Sequence, residues 1–137
     1  MENDFVFKLN QLPKINVENY STLFILDKSE NTPNIHETLG KIALALNLNV
    51  EKDICFYWTT KNTKTNLGPI LDVVKHVVCF NVETDLFLPN VAQLEKYRVY
   101  TFESCNFQLA DDMKTIMSDL EKKAKLWACL QKQFLKK

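Results

Sequence analysis

The stretch Tyr20-Ser21-Thr22-Leu23-Phe24-Ile25-Leu26 is apolar almost throughout and runs straight into the polar Asp27-Lys28-Ser29. A strand with one wet face alternates apolar and polar residues. A strand covered on both faces reads instead as a continuous apolar run, as in parallel sheets. Three more runs rich in β-branched and aromatic residues follow: ICFYW at 54–58, HVVCF at 76–80 and YRVYTF at 97–102. The gaps between them are helix-length. The pattern predicts an α/β domain, a three-layer αβα sandwich in which helices cover both faces of a four-stranded, mainly parallel sheet. Arg98 makes the fourth run less completely buried and suits it to a sheet edge. Function in such folds gathers at the carboxyl ends of the strands.

The length of 137 residues fits one ordinary domain, and 46% hydrophobic with 25% charged residues supports a real core. Only 2 glycines are present, which disfavours a dinucleotide-binding turn or a P-loop, both of which need glycine for close backbone approach to phosphate. Lysine and arginine (17) balance aspartate and glutamate (17). That balance argues against strong direct nucleic-acid binding, which needs a concentrated basic surface. The four cysteines, Cys55, Cys79, Cys105 and Cys129, form no CxxC pair and have apolar neighbours, so they read as buried thiols. The sequence shows no signal peptide and no run of eighteen apolar residues, so a cytoplasmic protein with no membrane association is expected.

Residues 1–19 precede the first strand. Phe5, Phe7 and Leu9 alternate there, and Leu12 precedes Pro13. This segment is either an edge strand or a partner-binding peptide, and residues 20–137 form the single α/β domain. A first helix is expected from 35 to 47, with a stripe of Ile35, Leu39, Ile42, Ala43 and Leu46, a cap at Asn34 and Glu37 three residues on. A short helix is expected near 67–75, with Pro69 in its first turn. At the end of the chain, Ser118 and Glu121 have capping-box spacing. Leu120, Ala124, Trp127, Leu130 or Gln131, and Phe134 follow at intervals of three and four, a stripe expected to face the sheet.

Candidate chemistry is sparse. His36 and His76 lie on different elements with no partner at metal-ligand spacing, so no metal or cofactor is expected. Asp27, directly after the first strand, is the best-placed carboxylate, but a turn or cap that satisfies the backbone before Lys28-Ser29 is the favoured reading. Ser29, Ser104 and Cys105 lack the surroundings of a nucleophile, and no catalytic set can be assembled. The loop 59–66 carries Lys61 and Lys64 without phosphate-cradling glycines. Trp58 at its base is either core or a contact residue, tryptophan being favoured at interfaces. Phe5, Phe7, Leu9, Leu12 and Trp58 are therefore the candidate partner-binding residues.

The segments Lys125-Leu126-Trp127-Ala128-Cys129-Leu130, Leu23-Phe24-Ile25-Leu26 and Leu39-Gly40-Lys41-Ile42-Ala43-Leu44-Ala45-Leu46 resemble packing motifs of the psi subunit family of bacterial DNA polymerase III. The resemblance covers roughly residues 20–135. It implies a fold similar to uracil-DNA glycosylases with strand order 2-1-3-4 and without glycosylase chemistry. It also implies a non-catalytic adaptor that joins the clamp loader to a chi subunit, which in turn meets single-stranded DNA-binding protein. In that family an N-terminal peptide binds the clamp-loader collar, a part for which Phe5, Phe7, Leu9 and Leu12 are the candidates.

Active glycosylases carry a glycine-rich water-activating motif after the first strand and a histidine after the last. Here those places hold Asp27-Lys28-Ser29-Glu30-Asn31-Thr32-Pro33 and Glu103-Ser104-Cys105-Asn106. The expected function is an adaptor in DNA replication whose partners are clamp-loader or other replication proteins. The alternatives are a small hydrolytic or base-processing enzyme with a degenerate site, and a structural α/β protein.

Overall fold

The computed structural model describes residues 19–60, 64–66, 70, 72–80, 85–87, 95–102 and 104–135. The N-terminal segment with Phe5, Phe7, Leu9 and Leu12 lies outside them. The strands are β1 (Thr22–Asp27), β2 (Ile54–Thr59), β3 (Lys64–Asn66), β4 (His76–Cys79), β5 (Asp85–Phe87), β6 (Tyr100–Phe102) and β7 (Cys105–Leu109). The helices are α1 (Pro33–Ala45), α2 (Met113–Ser118) and α3 (Leu120–Leu130), the last running into a π-helical turn at Gln131–Leu135.

The main sheet has five strands in the order β2-β1-β4-β7-β6, and β3 and β5 pair separately in parallel. This corrects the expected four-stranded sheet of order 2-1-3-4. The strands β2, β1, β4 and β7 are parallel neighbours. The fourth parallel strand is β7, in a stretch that the continuous-run criterion passes over. The run at 97–102 contributes only β6, an antiparallel edge paired to β7 with Phe102 opposite Cys105. The sequence signal for β7 is the alternation of Cys105, Phe107 and Leu109 with Asn106 and Gln108. Gln108 is nevertheless buried, with its side-chain amide N–H donating to Gln133 Oε1 at 2.7 Å and its own Oε1 left without a partner.

Side chains alternate across the sheet. Phe24, Leu26, Ile54, Val78 and Phe80 pack with Ile35, Leu39 and Ala43 of α1, Met113 and Ile116 of α2, and Leu126 and Leu130 of α3. The other face is built from Leu23, Ile25, Val77, Cys79, Cys105 and Phe107, closed by Ile70 and Val74. All three α-helices thus lie on one face. Among the described residues the second face is covered by a turn, with the Val73 and Val74 N–H groups both donating to the Ile70 carbonyl. Residues 67–69 and 71 of the helix expected near 67–75 lie outside the described residues.

Helix ends follow local chemistry. Thr32, not Asn34, caps α1, its side-chain oxygen accepting from the Ile35 N–H with Pro33 at the first helical position. The helix stops where Asn47 adopts φ 62°. There the Leu48 N–H reaches the Ala43 carbonyl at 2.8 Å and the Asn47 N–H reaches Leu44, the pairing of a Schellman stop. Asp119, not Ser118, caps α3, accepting from the N–H groups of Glu121 and Lys122.

Phe24 is fully buried, edge-to-face with Phe56 at 5.7 Å and with Phe80 at 5.4 Å between ring centroids. Phe24→Ala is expected to cost about 3–5 kcal/mol. Leu44→Ala, at a position 78% exposed on α1, should change stability by about 0.5 kcal/mol or less. Urea denaturation of the two variants checks the contrast.

Candidate functional site

The usual place for a site in this architecture is the carboxyl end of the parallel strands, beside the switch point between β1 and β4. The described polar groups at that end are engaged in holding the fold. The carboxylate of Asp27 accepts from the backbone N–H of Ser29 at 3.0 Å and from the Ser29 hydroxyl, closing the short 3-10 turn Lys28–Glu30. Asp27 therefore acts as the turn cap that its sequence context allows.

Glu30, which no periodicity singles out, is only 1% exposed. One carboxylate oxygen accepts from the Lys114 N–H at 2.8 Å, tying the loop after β1 to the start of α2. Burial raises its pKa above the ordinary carboxylate range, the Lys114 N–H opposes this, and the nearby Asp112 charge adds to the rise.

Asp111, after β7, is a second fastener. It takes Lys96 Nζ at 2.7 Å and the Tyr97 hydroxyl at 2.6 Å, with Lys122 Nζ at 3.7 Å. Burial pushes its pKa up, but the hydrogen bonds from Lys96 and Tyr97 and the charges of Lys96 and Lys122 outweigh that and hold it below the ordinary value. The Tyr97 hydroxyl is correspondingly harder to ionise, first through burial and then through its bond to Asp111.

The other sequence candidates do not converge. The His36 ring lies 5.1 Å from the Trp58 ring and its Nε2 meets Asn31 Oδ1. His76 lies against Phe134, with ring centroids 4.1 Å apart at the amino end of β4. Trp58 is half-buried on edge strand β2, stacked with Phe56 at 6.3 Å, and packs on the helix-covered face. Burial pushes the Cys105 thiol up to about 12 and the Cys129 thiol up to about 11, and it raises Cys55 as well. Such thiols stay protonated and are poor nucleophiles. Among the described residues no three His, Cys, Asp or Glu side chains are grouped to hold a metal ion, and no helix is long and apolar enough to cross a membrane.

One open feature among the described residues is a groove of about 460 Å³ on the helical layer, between α1 and α3 with α2 at one end. Ile42, Met113, Ile116, Leu126 and Leu130 form its floor, Met117 and Trp127 stand at its wall, and Lys41 and Lys123 border it. Its origin lies in α3. The buried residues of this helix and its continuation are Leu126, Cys129, Leu130 and Gln133, spaced i, i+3, i+4, i+7. The expected core stripe is realised only in part: Leu130 is buried and Phe134 packs on the core, while Leu120 and Trp127 turn outward. Leu120 is exposed, and Trp127, 36% exposed, faces the groove and does not complete the core.

The two carboxylates generate opposite pH behaviour. Asp111 has a lowered pKa, so its contribution is present above its ordinary value of 3.8 and is lost as pH falls through the folded value. Glu30 has a raised pKa, so its contribution is full below 4.5 and is lost as pH rises through the folded value. In urea titrations across pH, Asp111→Asn should flatten the acid limb and cost about 1.5–3 kcal/mol at neutral pH, the worth of hydrogen bonds to a charged group. Glu30→Gln should flatten the limb above 4.5.

No protein-family model, curated protein or solved structure matches the chain, so the likeness to the psi subunit family rests on the quoted residues alone.

Proposed function

We propose that this α/β domain is a non-catalytic adaptor whose groove between α1 and α3 receives an apolar, acid-flanked segment of a partner protein. The observation that carries this reading is the second apolar stripe of α3. Single exposed apolar residues are ordinary on a protein surface. Here Trp127 and Met117 are contiguous and border a concave apolar floor, the arrangement that takes the apolar side of a helix or extended peptide. Lys41 and Lys123 border the groove, Lys41 in an exposed pair with Glu37 at 3.6 Å, a contact weak enough to be exchanged for a partner's carboxylate. An acidic flank on the partner complements them.

The catalytic side of the comparison supports the same reading. The described carboxylates at the strand ends cap a turn, fasten α2 and anchor Tyr97. A general base needs a reachable proton and a suitable pKa; Asp27 and Asp111 are committed to partners, and Glu30, whose Oε1 has no partner, is only 1% exposed and shut off from solvent. The resemblance makes clamp-loader proteins the first partners to test.

The test uses the full chain as bait, beside Trp127→Gln, with captured proteins identified and then retested in purified form. Trp127→Gln should shift the thermal midpoint by only about 3–5 °C. A purified partner should bind the native chain at least about tenfold more tightly than the variant, a difference of about 1.4 kcal/mol. A photo-crosslinker placed at Met117 should mark an apolar segment of that partner flanked by acidic residues. Binding unchanged by the substitution, or no direct partner at all, would leave a structural α/β domain. Incubation with uracil-containing single- and double-stranded DNA should produce no abasic sites, and turnover lost in Asp27→Ala would establish the enzyme alternative instead.

A further inference from the structure

The geometry points to a second site on the opposite flank of α3, a cationic cleft that binds a small organic polyphosphate of about triphosphate length. The cleft has a volume of about 610 Å³ and lies between the segment around Tyr97 and the outer side of α3. Lys96, Arg98, Lys125 and Lys132 line it, and among the described residues no acidic side chain does. Its floor is apolar, made by Val99, Ala128 and Cys129. This volume falls within the range of small-molecule sites.

The facing carboxylates do not neutralise the cleft. Glu95 meets Arg98 at 3.3 Å, Glu121 meets Lys125 at 3.6 Å, and Asp111 is shared between Lys96 and Lys122. Five cations thus face three carboxylates, counting Lys122 with the four lining residues. The Glu95 and Glu121 pairs are exposed, where ion pairs are weak and easily exchanged for a better anion.

The backbone supplies a second observation. Tyr97 has φ 60°, a left-handed conformation that is unfavourable for a bulky side chain and costs about 1–3 kcal/mol. It is held there by its N–H on the Leu109 carbonyl at 2.8 Å and by its hydroxyl on Asp111. The turn sets Lys96 and Arg98 on either side of Tyr97, and both residues line the cleft.

Length selects the ligand. Lys125 on α3 and Lys132 in the π-helical turn that continues it are seven residues apart, about 10 Å along the axis. That span suits a chain of two or three phosphates, whereas a nucleic-acid strand needs a longer basic track. Arginine and lysine together give forked and point-charge contacts to phosphate oxygens. The floor of Val99, Ala128 and Cys129 leaves apolar area for an attached organic group such as a nucleobase.

Calorimetry on the full chain with inorganic tripolyphosphate and with ATP, both without added metal, tests the site. Both probes should bind, with ATP tighter if the floor takes the base. Lys125→Ser combined with Lys132→Ser should weaken both at least about tenfold. Lys41→Ser combined with Lys123→Ser, on the other groove, should leave binding within about twofold. All four positions are exposed, so folding should survive in each variant, as circular dichroism would verify. The proposal is overturned if neither probe binds at about 1 mM, if sulfate at equal ionic strength competes as well as tripolyphosphate, or if both double variants lose binding equally.

Discussion

Everything in this domain hangs on β1 being buried on both faces and laddered on both edges. Thr22 through Leu26 are fully excluded from solvent, and the strand pairs in parallel with β2 on one side and β4 on the other. A backbone in that position has no access to water, so its amides and carbonyls must be paired within the sheet. Its alternating side chains then seed two separate cores, Phe24 and Leu26 toward the helices and Leu23 and Ile25 away from them. The Phe24 ring reaches both neighbouring strands through Phe56 and Phe80, so a cavity there is felt across three strands.

The same burial dictates what happens at the strand ends. A chain leaving a dry strand must satisfy its polar groups within a few residues, and the side chains found there meet that demand. Asp27 closes the turn after β1, Glu30 fastens the next loop to α2, and Asp111 fastens the chain after β7 to Lys96, Tyr97 and Lys122. The buried Gln108–Gln133 pair does the same at the far end of α3, with Gln133 also donating to the carbonyls of Val77 and Asn106. Such a network specifies one arrangement because each member is costly to leave unpaired. The accessible concave surface described here therefore lies on the two flanks of α3, one apolar and one cationic.

That division of α3 is a matter of phase. Leu120, Ala124, Trp127, Leu130 and Phe134 satisfy helical spacing, and so do Leu126, Cys129, Leu130 and Gln133, the two sets sharing Leu130. Packing on the sheet selects the second set, because the ridge that includes Gln133 reaches the carbonyls of β4 and β7. Trp127 is then released to the groove. The polar residue in that stripe is the reason apolar periodicity favours the other phase.

The sequence by itself determined the α/β class, the burial of β1 and β4, the existence of α1 and α3, and the burial of Cys79, Cys105 and Cys129, because continuous apolar runs, helical stripes and apolar neighbours are local properties. It did not determine the fifth strand. The segment of β7 carries Asn106 and Gln108, and only the partner Gln133, 25 residues away in sequence, makes the burial of Gln108 affordable. Glu30 was likewise invisible, since nothing around it in the chain foretells that α2 will offer it an N–H group. The partner-binding candidates at Phe5, Phe7, Leu9 and Leu12 lie outside the described residues, and Trp58 packs on the sheet beside Phe56 and His36. Tertiary structure alone decided which stripe of α3 faces inward and which groups of the 96–98 segment meet the helix, because both depend on side chains from distant parts of the chain arriving at one place.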